Sequence, residues 1–312
     1  MMADVGCAGI LVDDTFCGPM KRLPQAGELL ALNEMRLRAG GCAANVAIDL
    51  VKQGIGVDVC GCVGADGSGA MLVENLRAFG VGCDEVHRLD SFPTSKTVIL
   101  VVDGEDRRYL HVFGANAGFT VERIRRDWLH GLKVFYLGGL FAMPAICAEE
   151  LAELLADCRR HGIATVVDVV LPQAGVGMES LLPLLPQIDY FLPNDDEARR
   201  LTGLSDVEQQ MEAFLGHGVG TIVITCGSGG AKAACGARRW QSDAFQVECV
   251  DPSGAGDAFA AGIITGAVHR WDFEKTLRYA SLLGASATTA VGATDGVLTA
   301  GQARQVLDQQ RF

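Results

Sequence analysis

Short runs of β-branched and aliphatic residues alternate along this chain with stretches whose apolar positions recur every three to four residues. The alternation is clearest in the second half. Residues Lys133–Gly139 read as a strand, and a helix follows over roughly 147–161. Ile163–Val170 is a near-continuous apolar run, the pattern of a strand buried on both faces of a parallel sheet. Ile188–Leu192 repeats it and leads to a helix from near Asp195, and Thr221–Thr225 is a further strand. Val247–Val250 reads as one more, running into a glycine-rich turn and a long helix of small residues from about Asp257. Strand and helix in rotation predict βαβ units, hence an α/β fold with a doubly wound, mostly parallel sheet flanked by helices.

Two stretches break that rhythm. Residues 10–38 and 92–118, to within a few positions, carry strand-like runs with polar faces, such as Thr97–Val102 and Arg107–Val112, without helices between them. They predict a small β-sheet lid beside the main sheet. The whole chain, 1–312, reads as one α/β unit bearing that lid, with no internal repeat.

Composition narrows the class. Apolar residues make up 49% and charged residues 21%, a balance that buries a sizeable core. The 39 glycines follow no Gly-X-Y period, so they report tight turns and close backbone approaches rather than collagen or linker. A formal charge of −12, with no basic cluster beyond pairs such as Arg107-Arg108, argues against nucleic acid as a partner. The eleven cysteines form no C-x-x-C pair and have no histidines at zinc spacing, so they read as reduced, mostly buried small hydrophobes. The N-terminal residues lack a basic leader, and uncharged stretches such as Val134–Ala148 are short and broken by Gly and Pro. The expectation is a cytoplasmic protein without a membrane partner.

The sharpest chemical signal is Val250–Gly262. A helix begins behind Gly254, Ala255 and Gly256, whose small residues leave backbone N–H groups open to an anion. Asp257 falls in the first turn, where the helix dipole favours its ionised form. A charged base beside an anion cradle is what transfer of a phosphoryl group to a hydroxyl requires.

Asp251-Pro-Ser-Gly-Ala-Gly-Asp257 resembles the second signature of the ribokinase-like (PfkB) carbohydrate kinase family, Asp-Thr-x-Gly-Ala-Gly-Asp. Arg38-Ala-Gly-Gly-Cys-Ala-Ala-Asn45 is similar to the first, a Gly pair followed four residues on by Asn. Gly61–Gly69, Gly114-Ala-Asn116, Asn194-Asp-Asp-Glu197 and Thr225-Cys-Gly227 resemble further family segments, in order, over about residues 5–300.

The resemblance implies an ATP-dependent kinase that transfers the γ-phosphoryl group to a hydroxyl of a small sugar, with Asp257 as base and the amides of Gly254, Ala255 and Gly256 as anion hole. Asp14, Gly40, Gly41 and Asn45 would line the sugar pocket, the glycines admitting substrate close to backbone, with Asp13 the rival of Asp14. Asn194 and Glu197 would help organise Mg²⁺, although Asn with Glu three residues on is also a helix capping box. Thr225 and Gly227 would flank ATP, and Asp251 and Ser253 a monovalent cation such as K⁺. Relatives pair through the lid, which implies a homodimer.

Three departures bear on the substrate. Pro252 replaces the usual Thr. The pocket segment Leu137–Met143 carries no carboxylate, unlike ribokinase itself, and Cys42 stands where several relatives place Lys. The last change points to a neutral sugar, with Arg36, Arg38 and Arg107 the remaining candidate cations. A nucleoside kinase and a silent sugar-binding regulator are the alternatives, the latter opposed by the intact Asp257. A nicotinamide dehydrogenase is disfavoured because Gly61–Gly69 never gives G-x-G-x-x-G, and no P-loop occurs.

Overall fold

The computed structural model describes residues 3–105, 108–171 and 176–309. Its first half holds strands β1 (Val5–Gly9), β2 (Val12–Met20), β3 (Met35–Gly40), β4 (Val57–Gly64), β5 (Gly82–Leu89), β6 (Lys96–Val102) and β7 (Arg108–Val112), with helices α1 (Cys42–Lys52), α2 (Gly67–Ala78) and α3 (Arg126–Leu129). The second half adds β8 (Val134–Leu140), β9 (Ala164–Val169), β10 (Tyr190–Phe191), β11 (Thr221–Thr225), β12 (Ala231–Cys235) and β13 (Arg238–Ser242). Its helices are α4 (Ala148–Arg160), α5 (Asp195–Thr202), α6 (Val207–Gly216), α7 (Ala255–His269), α8 (Phe273–Ala287) and α9 (Ala300–Gln309).

Among the described residues the main sheet has nine strands in the order β13-β12-β11-β10-β9-β8-β1-β4-β5, parallel except for the antiparallel β12 and β13. Its strands are apolar on both faces because helices cover both. Val5, Cys7, Val59 and Val63 pack with α1, α2, α7 and α8, while Ala8, Cys60, Phe135 and Val167 pack with α3 to α6. The chain leaves β1 in both directions across the sheet, β4 on one side and β8 on the other, which makes the C-terminal edge of β1 a topological switch point.

The smaller sheet runs β3-β2-β6-β7, built from the two segments expected to form a lid. Asn116, only 1% exposed, ties it to the core: its amide accepts from the Leu11 N–H at 3.1 Å and donates to the Leu11 carbonyl at 3.0 Å, where β1 turns into β2.

Two expectations fail. Residues 247–250 are not a strand; Val247 and Val250 are exposed, and the Val250 and Asp251 amides donate to Thr288 O at 2.8 and 3.0 Å instead of to a sheet neighbour. The long helix starts at Ala255, two residues before the expected Asp257, with Gly254 (φ 75°) as its N-cap. A side chain at Gly254 would strike Ala293 O, its Cβ coming to 2.0 Å, so the glycine is required by backbone approach as well as by φ.

Candidate active site

The C-terminal edge of the sheet gathers the chemistry. Asp257 sits in the third position of α7, at the open first turn where backbone amides lack intrahelical acceptors. Asn45, on α1 and 5% exposed, donates from Nδ2 to Asp257 Oδ2 at 2.8 Å. Burial raises the Asp257 carboxyl above its ordinary value, and the hydrogen bonds from Asn45 and Cys42 hold it back. The dipole argument from sequence therefore understated burial: this is a base moved toward neutrality, the direction that suits general-base chemistry.

Asp14 and Asp13 separate cleanly. Asp13 is 2% exposed and its carboxylate meets Lys96 Nζ at 3.1 Å, whereas Asp14 lies partly open on the site side of β2. Burial first, then the neighbouring Asp13 and Asp257, push the Asp14 carboxyl up to about 7, against a hydrogen bond from Thr97. Gly40 and Gly41 sit where β3 passes into α1, beside Asp14 and Ile10. A Cβ on Gly40 would come within 1.9 Å of Asp14 Oδ2, and one on Gly41 (φ 89°) within 2.4 Å of Ile10 O. The protein's own carboxylate and carbonyl occupy the positions a side chain at these glycines would need.

Asp168, the penultimate residue of β9, is the residue that sequence reasoning missed. The segment Leu137–Met143 carries no carboxylate of its own, yet Asp168 reaches it: the Gly139 amide donates to Asp168 Oδ1 at 2.5 Å and the Tyr136 hydroxyl to Oδ2. A polar residue inside the apolar run Val166-Val-Asp-Val169 was the available signal. Burial and then Asp257 raise the Asp168 carboxyl well above the usual range. The Cys42 thiol completes the group, its donor atom and those of Asp168 and Asp257 all lying within 4.8 Å of one another. Gly138 permits the convergence, since its Cβ would meet Cys42 Cβ at 2.8 Å.

At the start of α7 lies a cavity of about 540 Å³, lined among others by Asn194, Thr225, Gly227, Ala255, Gly256 and Phe259. Asn194 and Glu197 form the capping box in full: Asn194 Oδ1 accepts from the Glu197 amide at 2.8 Å and Glu197 Oε2 from the Asn194 amide at 2.9 Å. Burial pushes the Glu197 carboxyl up to about 7. Gly227, with φ 54° and open space about its Cα, turns the chain under the cavity. Of the expected anion-hole amides, that of Ala255 is committed to Pro252 O at 3.3 Å. Asp251, 3% exposed, accepts from the Ser253 amide at 2.7 Å and the Gly292 amide at 2.9 Å, bracing the glycine turn against the segment before α9. Among the candidate cations, Arg38 pairs with Asp295 at 3.2 Å and Arg36 with Glu34, while Arg107 lies outside the described residues.

A family model described as the pfkB family carbohydrate kinase matches residues 2–300. The chain belongs to that family, and it is a carbohydrate kinase. It is 25% identical over 263 residues to an ATP-dependent 6-phosphofructokinase of Thermoanaerobacterium thermosaccharolyticum, covering 81% of this chain and 80% of that one. It is also 25% identical over 285 residues to the ribokinase of Bacillus subtilis, covering 91% and 92%. In structure it resembles the fructokinase with bound ATP from Xylella fastidiosa, with a TM-score of 0.85, 21% identity and 99% of both chains covered. The kinase therefore has relatives that differ in sugar and in whether that sugar already carries a phosphate. Among the described residues, no helix of the kinase is long and apolar enough to cross a membrane.

Proposed function

We propose that this kinase transfers the γ-phosphoryl group of ATP to a hydroxyl of a small, unphosphorylated sugar of the ribose or fructose type, with Asp257 as general base. The observation that carries the reading is the position of Asp257. It follows directly on Ala255 and Gly256, which line the cavity of about 540 Å³, accepts a hydrogen bond from Asn45, lies near enough to Asp14 to raise that carboxyl, and is itself raised above its ordinary value by burial.

In this reading the sugar hydroxyl gives its proton to Asp257 as its oxygen bonds to the γ-phosphorus and the bond to ADP breaks. The first-turn amides of α7 beyond Ala255, those of Gly256 and Asp257, would face the negative charge on the transferred group. Asp14 and Asn45 accept from and donate to the sugar's other hydroxyls, fixing which one meets the base. Hard oxygen donors suit Mg²⁺, and Glu197, a half-buried carboxyl with one oxygen outside the capping box, would hold the ion through its water and neutralise phosphate charge. A K⁺ ion beside Asp251 and Ser253 would bind where Asp251 already braces the glycine turn.

The acidic wall made by Asp14, Asp168 and Asp257, with Arg38 drawn to Asp295, supports an uncharged sugar over a phosphosugar. The lid exposes Met35, Leu37, Tyr109, Leu110, Val112 and Phe113, an apolar surface that supports a homodimer through this sheet. ADP release measured over sugars, sugar phosphates and nucleosides tests the substrate class. A best kcat/KM on a phosphorylated sugar or a nucleoside would refute it.

A further inference from the structure

We propose that Cys42, Asp168 and Asp257 together bind a thiophilic divalent cation such as Zn²⁺, and that the bound ion shuts the kinase off by taking the base and the sugar's place at once. The inhibition rests on the function proposed above; the metal site stands on its own geometry.

Three different elements, α1, β9 and α7, bring a thiol and two carboxylates to one point, with donor atoms within 4.8 Å of one another. All three side chains are partly exposed, so an ion can reach them from the sugar recess. Their directions are fixed by hydrogen bonds, Asn45 to Asp257 and Tyr136 with the Gly139 amide to Asp168, which leave lone pairs on each carboxylate. Among the described residues no Lys or Arg forms an ion pair with Asp168 or Asp257, so the cluster holds carboxylates without a countercharge. A second observation points the same way. The Asn45 side chain is 95% buried by its 5% exposure, and its Oδ1, on the amide whose nitrogen touches Asp257, has no hydrogen-bond partner. A buried oxygen left unpaired beside an acidic cluster is an arrangement a cation would complete.

Zinc takes thiolate at about 2.3 Å and carboxylate at about 2.0–2.2 Å in tetrahedral sites. The donors would close in by roughly an ångström, the Cys42 side chain turning toward the two hydrogen-bonded carboxylates, with water as fourth ligand. The sulfur selects Zn²⁺ or Cd²⁺ over Mg²⁺. No redox step is involved: the thiol proton goes to buffer as the sulfur–metal bond forms. A second cluster, His130, Asp157 and His161, has similar donors, but Asp157 there already meets Arg126 and Arg160, two guanidinium groups that oppose a cation.

The test uses the intact kinase, its Cys42→Ser variant and, as control for the surface cluster, His161→Gln. Zinc binding is read by equilibrium dialysis, and cobalt substitution reports a thiolate ligand through its near-ultraviolet charge-transfer band. The wild type and His161→Gln should bind one zinc at the site, show the band, and lose turnover in a manner relieved by sugar but not by MgATP. Cys42→Ser should lack the band and need at least ~10-fold more zinc for the same fractional inhibition. No band in the wild type, or equal zinc sensitivity in Cys42→Ser, would overturn the site. A band with turnover unchanged would uphold the site and overturn Asp257 as base.

Discussion

Asn45 donates to Asp257, the proposed base, and a pH profile of Asn45→Ala isolates what that bond does. The 2.8 Å bond from Nδ2 stabilises the ionised carboxylate and so lowers a pKa that burial raises. A hydrogen bond to a charged group contributes about 1.5–3 kcal/mol. At 1.36 kcal/mol per unit, its loss should move the Asp257 pKa up by about one to two units. The base works only when ionised, so the acidic limb of kcat/KM should shift to higher pH by that amount. Below the shifted limb the rate falls about tenfold per unit. Initial ADP release from pH 5 to 9, at fixed MgATP and subsaturating sugar, measures it. A variant with raised KM for sugar but an unmoved acidic limb would refute the coupling and leave Asn45 a sugar ligand alone.

Further outcomes are expected. Asp14→Ala should raise KM for sugar far more than for ATP, because the site's polar groups lose a partner; equal damage to both would move Asp14 out of the sugar site. Asp14 also loads the fold. With its carboxyl pushed up to about 7 in the native state and near 3.9 in the unfolded chain, stability falls as pH rises between those values, so Asp14→Asn should raise Tm more at pH 8 than at pH 4. Asn116→Ala strands the Leu11 N–H and carbonyl and should cost at least about 2 kcal/mol in denaturant unfolding. Glu197→Gln should raise the Mg²⁺ concentration for half-maximal rate; a change in Tm alone would leave it a cap. Leu110→Glu should convert dimer to monomer in sedimentation if the lid pairs copies.

The α/β order was legible because strands buried on both faces, such as Ile222–Ile224, show as apolar runs with no polar alternation. Asp257 and Asn45 stood out because the two glycine-bearing segments that carry them resemble the family's signatures, and the structure joins them by a hydrogen bond. The distance between 42, 168 and 257 hid Asp168, whose role exists only once β9 lies beside β8. At Gly40 the sequence shows that space is needed, and the structure shows that the Asp14 carboxylate takes the place a Cβ would fill. Val247–Val250 misled because its β-branched pattern is satisfied by Thr288 rather than by a strand. The hairpin β12–β13 went unread because Ala231–Cys235 is built from small residues with weak strand preference.

The most direct test of the central claim is Asp257→Asn. Asparagine keeps the shape and can still meet Asn45 and the substrate hydroxyl, but it cannot take the proton. Binding of MgATP and sugar by calorimetry, together with single-turnover ADP formation, separates the two functions. We predict binding close to wild type and kcat lower by at least ~10²-fold, within the range that general-base assistance supplies. A near wild-type kcat in Asp257→Asn would contradict the account.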